Sequence, residues 1–169
     1  MAKKLKSTAE VYLRNFIFGV EDSLVSTVGL LSGIAVAGVS TATIFTTGVI
    51  LVLVEAFSMG VGSFLAEDST EDLIEKKKKT DKSAVAGGVV MFISYAIAGV
   101  IPLLPYVIFP KETAFIISVS LTLVALFGLG AISAAQYKGK VVKRGVKTMV
   151  LGGLAIAAGV LIGSLLPVS

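Results

Sequence analysis

Two carboxylates and one thioether have the chemistry and the spacing to bind a metal ion: Asp22, Glu55 and Met59. Glu55 lies inside the apolar stretch 51–62, and Met59 follows it by four residues, so both would share one face of a helix. An ionisable group at membrane depth is costly unless it meets a partner, a cavity or an ion. Carboxylates suit divalent cations, and a thioether favours transition metals over Mg²⁺ or Ca²⁺.

Several kinds of metal and catalytic chemistry are excluded by composition. The 169-residue chain contains no Cys and no His. It therefore cannot form a disulfide, a thiolate or imidazole metal site, or a catalytic triad from its own residues. No permanent cofactor is expected. A membrane-embedded enzyme is the weakest of three interpretations of the acidic residues, behind a cation transporter and a non-transport structural or interaction membrane protein.

The elements that must position these residues are membrane-spanning helices. A mean hydropathy of +0.94 and 18 glycines predict an all-α integral membrane protein with a single transmembrane domain over residues 1–169. A helix needs about 20 apolar residues to cross the bilayer. A short cytoplasmic helix over 7–18 leads into the first span, and a charged linker covers 67–83. The five predicted spans are roughly 16–39, 44–66, 84–109, 113–135 and 146–166.

The basic residues predict the orientation of the spans. Of the 15 Lys and Arg residues, all but Lys111 lie at the N-terminus, in the linker after the second span, or in the linker after the fourth. The positive-inside rule then places the N-terminus in the cytoplasm and the C-terminus outside. Membrane lipid is an expected partner of these basic segments, and nucleic acid is not.

The second and fourth spans are related by an internal repeat. Residues 51–63 align without gaps to 121–133, and the third and fifth spans share a Gly-Gly pair and a Leu-Leu-Pro sequence. Two helix hairpins in the same orientation, a parallel repeat, are predicted. The second copy carries Ala125 and Leu129 at the positions of Glu55 and Met59. The scaffold does not require the polar pair, which favours a functional role for it.

An antiparallel hairpin of the first two spans would bring Asp22 to the same depth as Met59, since both lie about 28 Å from the turn at Ser40. Glu55 would lie about 6 Å further outward on the same face. The first span also carries a face of small residues that includes a GxxxG pattern. A homodimer closing along this face would place two copies of the three residues around one axis. The face consists of Ser26, Gly29, Gly33 and Ala37.

Acidic residues continue beyond the second span. Glu67, Asp68 and Glu71 have no basic residue four positions later, unlike Asp72 and Glu75. We expect these three side chains to lie at the cytoplasmic mouth of the path and to attract or loosely bind cations, as a weaker site than Asp22, Glu55 and Met59.

Two segments resemble a known family. Residues 21–33, EDSLVSTVGLLSG, resemble the Asp-Gly-Leu-Val-Ser-Thr-x-Gly-Leu-x-x-Gly signature of the vacuolar iron transporter family. Residues 55–66, EAFSMGVGSFLA, resemble its Ser-Met-x-x-Gly-x-Tyr-Leu segment. The five-span layout agrees along the chain. The chain has Leu51 where eukaryotic members tend to place a carboxylate, and its 17-residue linker lacks most of the family's Glu-rich metal-binding insert.

The resemblance implies a dimeric, proton-coupled exporter of Fe²⁺, and of Mn²⁺, from the cytosol. Its path would follow the dimer axis between the first two helices, with Asp22 and Met59 as ion-pathway residues and H⁺ as the coupling ion. The carboxylates would bind metal and proton alternately. The small size and short linker favour a prokaryotic plasma membrane over an organelle membrane.

Overall fold

A computed structural model describes residues 2–74, 82–136 and 139–166 of the chain, and this part is built from helices. The helices are α1 (Ala2–Val36), α2 (Thr41–Ile74), α3 (Lys82–Leu103), α4 (Pro105–Ile108), α5 (Lys111–Gln136) and α6 (Val141–Leu165). Within the described ranges, every helix except α4 is long and apolar enough to cross a membrane. The prediction of an all-α protein with five spans is confirmed.

Prolines shorten the third span relative to its predicted range of 84–109. Helix α3 ends at Leu103, and the one-turn helix α4 begins at Pro105. Pro105 has no backbone N–H to continue the helical hydrogen bonds, so α3 ends just before it, although Leu104 keeps helical φ and ψ of −54° and −41° and Pro102 lies inside α3. The chain therefore turns between α3 and α5 earlier than hydropathy indicates.

Helices α1 and α2 are both longer than a membrane span. The predicted lead-in helix over 7–18 is continuous with the first span in α1. Helix α2 has 34 residues and is about 51 Å long at 1.5 Å per residue, so its last turns extend beyond a hydrocarbon core of about 30 Å. The turn between them contains Gly38 with φ of 98°, a left-handed conformation that glycine adopts without steric cost. The Ser40 hydroxyl accepts a 3.2 Å bond from the Thr43 N–H and so caps α2.

Helix α1 lies between two helix pairs. It packs extensively against both α3 and α6, while α2 packs on α3 and α5 packs on α6. One cluster of buried apolar side chains, including Leu31 and Ile44, joins α1, α2 and the α3–α5 turn. Apolar side chains such as Val54 and Phe57 are more than 60% exposed on α2, as expected for a surface that faces lipid. The parallel repeat and the orientation of the termini stay predictions.

Candidate functional site

Three helices meet at Glu55. This half-buried residue lies on α2, and its Oε2 atom accepts a 2.9 Å hydrogen bond from the Ser26 hydroxyl of α1. The Tyr95 hydroxyl of α3 donates to the same oxygen. The two hydroxyl oxygens lie 2.6 Å from each other. Ser26, Glu55 and Tyr95 therefore form a closed set of polar contacts, called the polar triangle below.

Small residues and a buried serine hold Tyr95 in the polar triangle. Tyr95 is fully buried, and its backbone carbonyl accepts a 2.7 Å hydrogen bond from the Ser23 hydroxyl. A Cβ atom on Gly99 would lie only 3.0 Å from that hydroxyl, and one on Gly60 of α2 would lie 3.1 Å from the Gly88 carbonyl of α3. Side chains at these glycines would push the helices apart. The close approach of α3 to both α1 and α2 positions the Tyr95 hydroxyl against Glu55.

Asp22 lies one helical turn before Ser26 on α1. It is half-buried and close enough to Glu55 for the two carboxylates to interact electrostatically. The bond between Ser26 and Glu55 agrees with the predicted antiparallel register, in which Asp22 and Met59 share one level and Glu55 lies one turn outward. Met59 is also half-buried.

No basic residue of the first three spans can neutralise the two carboxylates. The sequence contains no Lys or Arg between Arg14 and Lys76, or from residue 83 to 110. Among the residues that the structure describes, no three acidic side chains come together as a metal-binding group. The predicted ligands from one chain are thus two carboxylates, of Asp22 and Glu55, and the Met59 sulfur.

Glu67, at the predicted cytoplasmic mouth, contacts side chains of α1 that the sequence pattern does not reveal. The Asn15 side-chain amide donates to Glu67 Oε1 at 2.8 Å and to the Ser63 hydroxyl at 2.9 Å. Arg14 lies 3.8 Å from the same carboxylate, whose side chain is only 12% exposed. Glu67 is therefore paired through α1 although it lacks a basic residue four positions later, and its role in attracting cations stays a prediction.

The other two mouth residues differ in how far the structure describes them. Asp68 is half-buried on α2, six residues before that helix ends. The predicted role of the Glu71 side chain falls outside the part of the chain whose side chains are described.

The glycine face of α1 is occupied within the chain. A Cβ atom on Gly33 would lie 2.8 Å from the Gly159 carbonyl of α6, and one on Gly29 would lie 3.3 Å from the Ala155 carbonyl. Ser26 belongs to the polar triangle, and Ala37 is buried. Within the chain, α6 already covers the glycines of this face, so the predicted contact with a second copy could not use them. The homodimer itself stays a prediction.

The sequence-based prediction did not include Tyr95, Ser26 as a partner of Glu55, or Asn15. Tyr95 and Asn15 are polar side chains inside or at the edge of apolar helices, and both are buried. A buried polar side chain needs hydrogen-bond partners, so the position of each residue in an apolar helix was the available sign that it has one. The sequence could not indicate which residues the partners are, because they lie on other helices.

The fold and the acidic pair define a polytopic α-helical membrane protein with carboxylates at membrane depth. The model of the VIT family matches residues 13–87 and 74–164 of the chain. Vacuolar iron transporter 1 of Arabidopsis thaliana is 25% identical, over 89% of this chain and 84% of the relative. Vacuolar iron transporter 1 of Tulipa gesneriana is 24% identical, over 89% and 85%. Vacuolar iron transporter homolog 4 of Arabidopsis thaliana is 29% identical, over 86% and 79%.

The chain belongs to the VIT family, as its sequence motifs predicted. The family is one of transporters, which confirms that the protein is not an enzyme. An integral membrane location is also confirmed. The expected prokaryotic plasma membrane is not supported, because the named relatives are plant proteins whose names refer to the vacuole.

Proposed function

We propose that this protein transports Fe²⁺, with Mn²⁺ as a second substrate, out of the cytosol in exchange for protons. The observation that carries the proposal is the interacting pair Asp22 and Glu55, which lies inside the membrane-spanning part of the bundle without a basic partner from the first three spans. Two such carboxylates repel each other when both are ionised, so the binding of a cation or a proton between them is favourable. The iron transport named in the relatives agrees with this chemistry.

The polar triangle supports a coupling of metal to protons. Its three groups make three mutual contacts, whereas the hydroxyls of Ser26 and Tyr95 supply only two protons. Protonation of Glu55 supplies the third proton and completes the ring of hydrogen bonds. An arriving metal ion would take the carboxylate in place of that proton. The Met59 sulfur, one turn from Glu55, would bias the site towards transition metals.

A homodimer is part of the proposal. A single chain offers two carboxylates and one thioether, and a second copy around a shared axis would double this set. Because α6 covers Gly29 and Gly33, the contact would have to use another surface of α1 or α2.

The deciding experiment is metal flux into liposomes with an imposed pH gradient. Asp22→Asn and Glu55→Gln keep the size of each side chain but remove one charged ligand of the proposed site, so each is expected to lower the flux of Fe²⁺ at least about tenfold. Glu112→Gln, in the exposed first turn of α5, is the matched control and should transport normally. Normal transport by both site variants, or no metal movement by the wild type, would refute the proposal.

A structural or interaction role is the second candidate, and one observation favours it. The Glu55 carboxylate already accepts hydrogen bonds from two helices, so it could serve to join α1, α2 and α3. In that case the wild type would move no metal, and Glu55→Gln would lower the unfolding temperature without any transport phenotype. Measuring unfolding and flux on the same preparations separates the two candidates.

A further inference from the structure

A crevice opens between α1, α5 and α6 at the end of the bundle that is predicted to be cytoplasmic. It has a volume of about 570 Å³ and joins a second cavity of about 350 Å³, with which it shares Ile17, Glu21, Ser133 and Arg144. The crevice lies apart from the polar triangle, and the proposed transport does not use it.

The charge of the crevice is strongly positive. Its walls carry four basic side chains of the segment that begins α6, and the adjoining cavity adds Arg14. The only acidic residue that lines either cavity is Glu21. Within the described residues, the single ion pair is that of Arg14 with Glu67. The basic side chains on α6 are Lys140, Lys143, Arg144 and Lys147.

These basic residues occupy the unfavourable end of a helix. The N-terminus of a helix carries a partial positive charge and unpaired N–H groups, so acidic residues are preferred there. Helix α6 has no acidic residue in its first turn, and the side chain of its N-cap residue, Lys140, makes no capping hydrogen bond. An anion bound in the crevice would offset both the side-chain charges and the helix dipole.

A buried hydroxyl gives independent evidence for a ligand. Ser133 of α5 lines both cavities and is 3% exposed. Its Oγ atom has no hydrogen-bond partner among the residues that the structure describes. Buried polar atoms in native structures nearly always have a partner, so a ligand oxygen in the crevice would satisfy this one.

The apolar lining indicates that the ligand is amphiphilic. Ile17, Leu129 and Leu151 lie in the same crevice as the basic residues, and Phe18 beside it is 50% exposed. A free phosphate ion would not use this surface, whereas the acyl chains of a lipid would. Glu21 lies seven residues deeper along α1 than Arg14. Its carboxylate would repel a second negative charge on the ligand, which favours a singly charged phosphodiester over a phosphomonoester.

We propose that the crevice between α1, α5 and α6 binds one anionic phospholipid, with the phosphodiester against Lys143, Arg144 and the start of α6. The Ser133 hydroxyl donates to the headgroup, and the acyl chains lie along the apolar lining. Basic pockets between transmembrane helices on the cytoplasmic side are known to take such headgroups.

The test counts lipids on the full chain by native mass spectrometry after release from bilayer discs of phosphatidylcholine with a minor share of phosphatidylglycerol. We expect the wild type to retain one phosphatidylglycerol with a preference of about tenfold or more over phosphatidylcholine. The double substitution Lys143→Gln and Arg144→Gln should reduce this preference to about twofold or less, and Ser133→Ala should reduce it about threefold.

A matched control separates a site from general attraction to charge. Lys76→Gln with Lys77→Gln removes the same charge at the same predicted side of the membrane, and this pair should keep the wild-type preference. An equal loss of lipid preference in the two double variants, or no preference for phosphatidylglycerol in the wild type, would overturn the proposal. Competition by millimolar glycerol phosphate would also overturn it in favour of a soluble phosphate ligand.

Two further readouts keep the result interpretable. Unfolding temperatures measured in detergent without anionic lipid should agree within about 2 °C between the variants and the wild type. If the double variant does not fold, Lys140→Gln with Lys147→Gln takes its place, with the same expected loss of preference. A change from dimer to monomer with an unaltered lipid preference would instead identify the crevice as a contact between copies and overturn the lipid proposal.

Discussion

Helix α1 is held on one side by hydrogen bonds and on another by glycines. Towards α2 and α3, Ser23 and Ser26 bond to Tyr95 and Glu55. Towards α6, Gly29 and Gly33 lie against Ala155 and Gly159. We call these the polar contact and the glycine contact of α1.

The two contacts differ in what they can accommodate. The glycine contact is backbone against backbone, so neither helix can shift without losing dispersion contacts around Gly29 and Gly33. The polar contact depends on donors and acceptors whose arrangement changes when a proton or an ion arrives. If the protein transports metal as proposed, we expect α6 to act as a fixed support for α1 and any rearrangement to occur on the side of α2 and α3.

The largest effect is expected from a methyl group in the glycine contact. In Gly159→Ala the new Cβ atom would meet the Gly29 carbonyl of α1, and overpacking of this kind costs about 1–3 kcal/mol. Gly153→Ala on the same helix is the control, because nothing lies within 4 Å of its Cβ position. Thermal unfolding in detergent should show a clear loss for Gly159→Ala and no loss for Gly153→Ala. Equal unfolding temperatures would show that the contact is not tight.

The next effect concerns the hydroxyl in the polar contact. Tyr95→Phe removes a donor to Glu55 and should cost about 1–2 kcal/mol, together with a reduction of metal flux by at least about threefold. Tyr106→Phe is the matched control, since the buried Tyr106 hydroxyl has no partner among the described residues. Its removal should be neutral or stabilising. A flux reduction of the same size in both variants would contradict a specific role for Tyr95.

A smaller effect is expected further towards the N-terminus of α1, where Asn15 contacts α2. Asn15 and Glu67 form a 2.8 Å hydrogen bond in a nearly buried setting, so a double-mutant cycle of Asn15→Ala and Glu67→Ala should give a coupling of about 1 kcal/mol. Additive single effects would show that the bond contributes nothing to stability.

The smallest effect should come from Arg14 and Glu67. Their atoms are 3.8 Å apart and the Arg14 side chain is 70% exposed, so the coupling in a cycle with Arg14→Gln should stay below about 0.5 kcal/mol and decrease with added salt. A coupling larger than that of Asn15 with Glu67 would reverse the order of the two interactions.

The helices could be predicted because the sequence features that define each one, its hydropathy and its prolines, lie within the helix's own segment of the chain. Hydropathy predicts the five spans, and Pro105 accounts for the early end of α3. The relation of Asp22, Met59 and Glu55 followed from the length of the hairpin alone, and the bond between Ser26 and Glu55 agrees with it.

The partners across helices could not be predicted in the same way. A GxxxG pattern indicates that another helix comes close, but it does not say which one, and here it is α6 of the same chain. Tyr95 reaches Glu55 only because glycines bring α3 between α1 and α2. Such contacts depend on the packing of segments far apart in sequence.

The glycine contact joins α1 to α6, the first and last of the helices that the structure describes. During synthesis, α1 enters the membrane early, and α2 and α3 can pack with it through the polar contact as soon as they follow. Gly29 and Gly33 must wait for Ala155 and Gly159, which are separated from them by more than 120 residues. Until α6 is inserted, this groove on α1 is open to other helices in the membrane. The packing of α1 is therefore completed only when α6 is inserted, so a chain truncated before α6 would leave Gly29 and Gly33 exposed to lipid or to other helices.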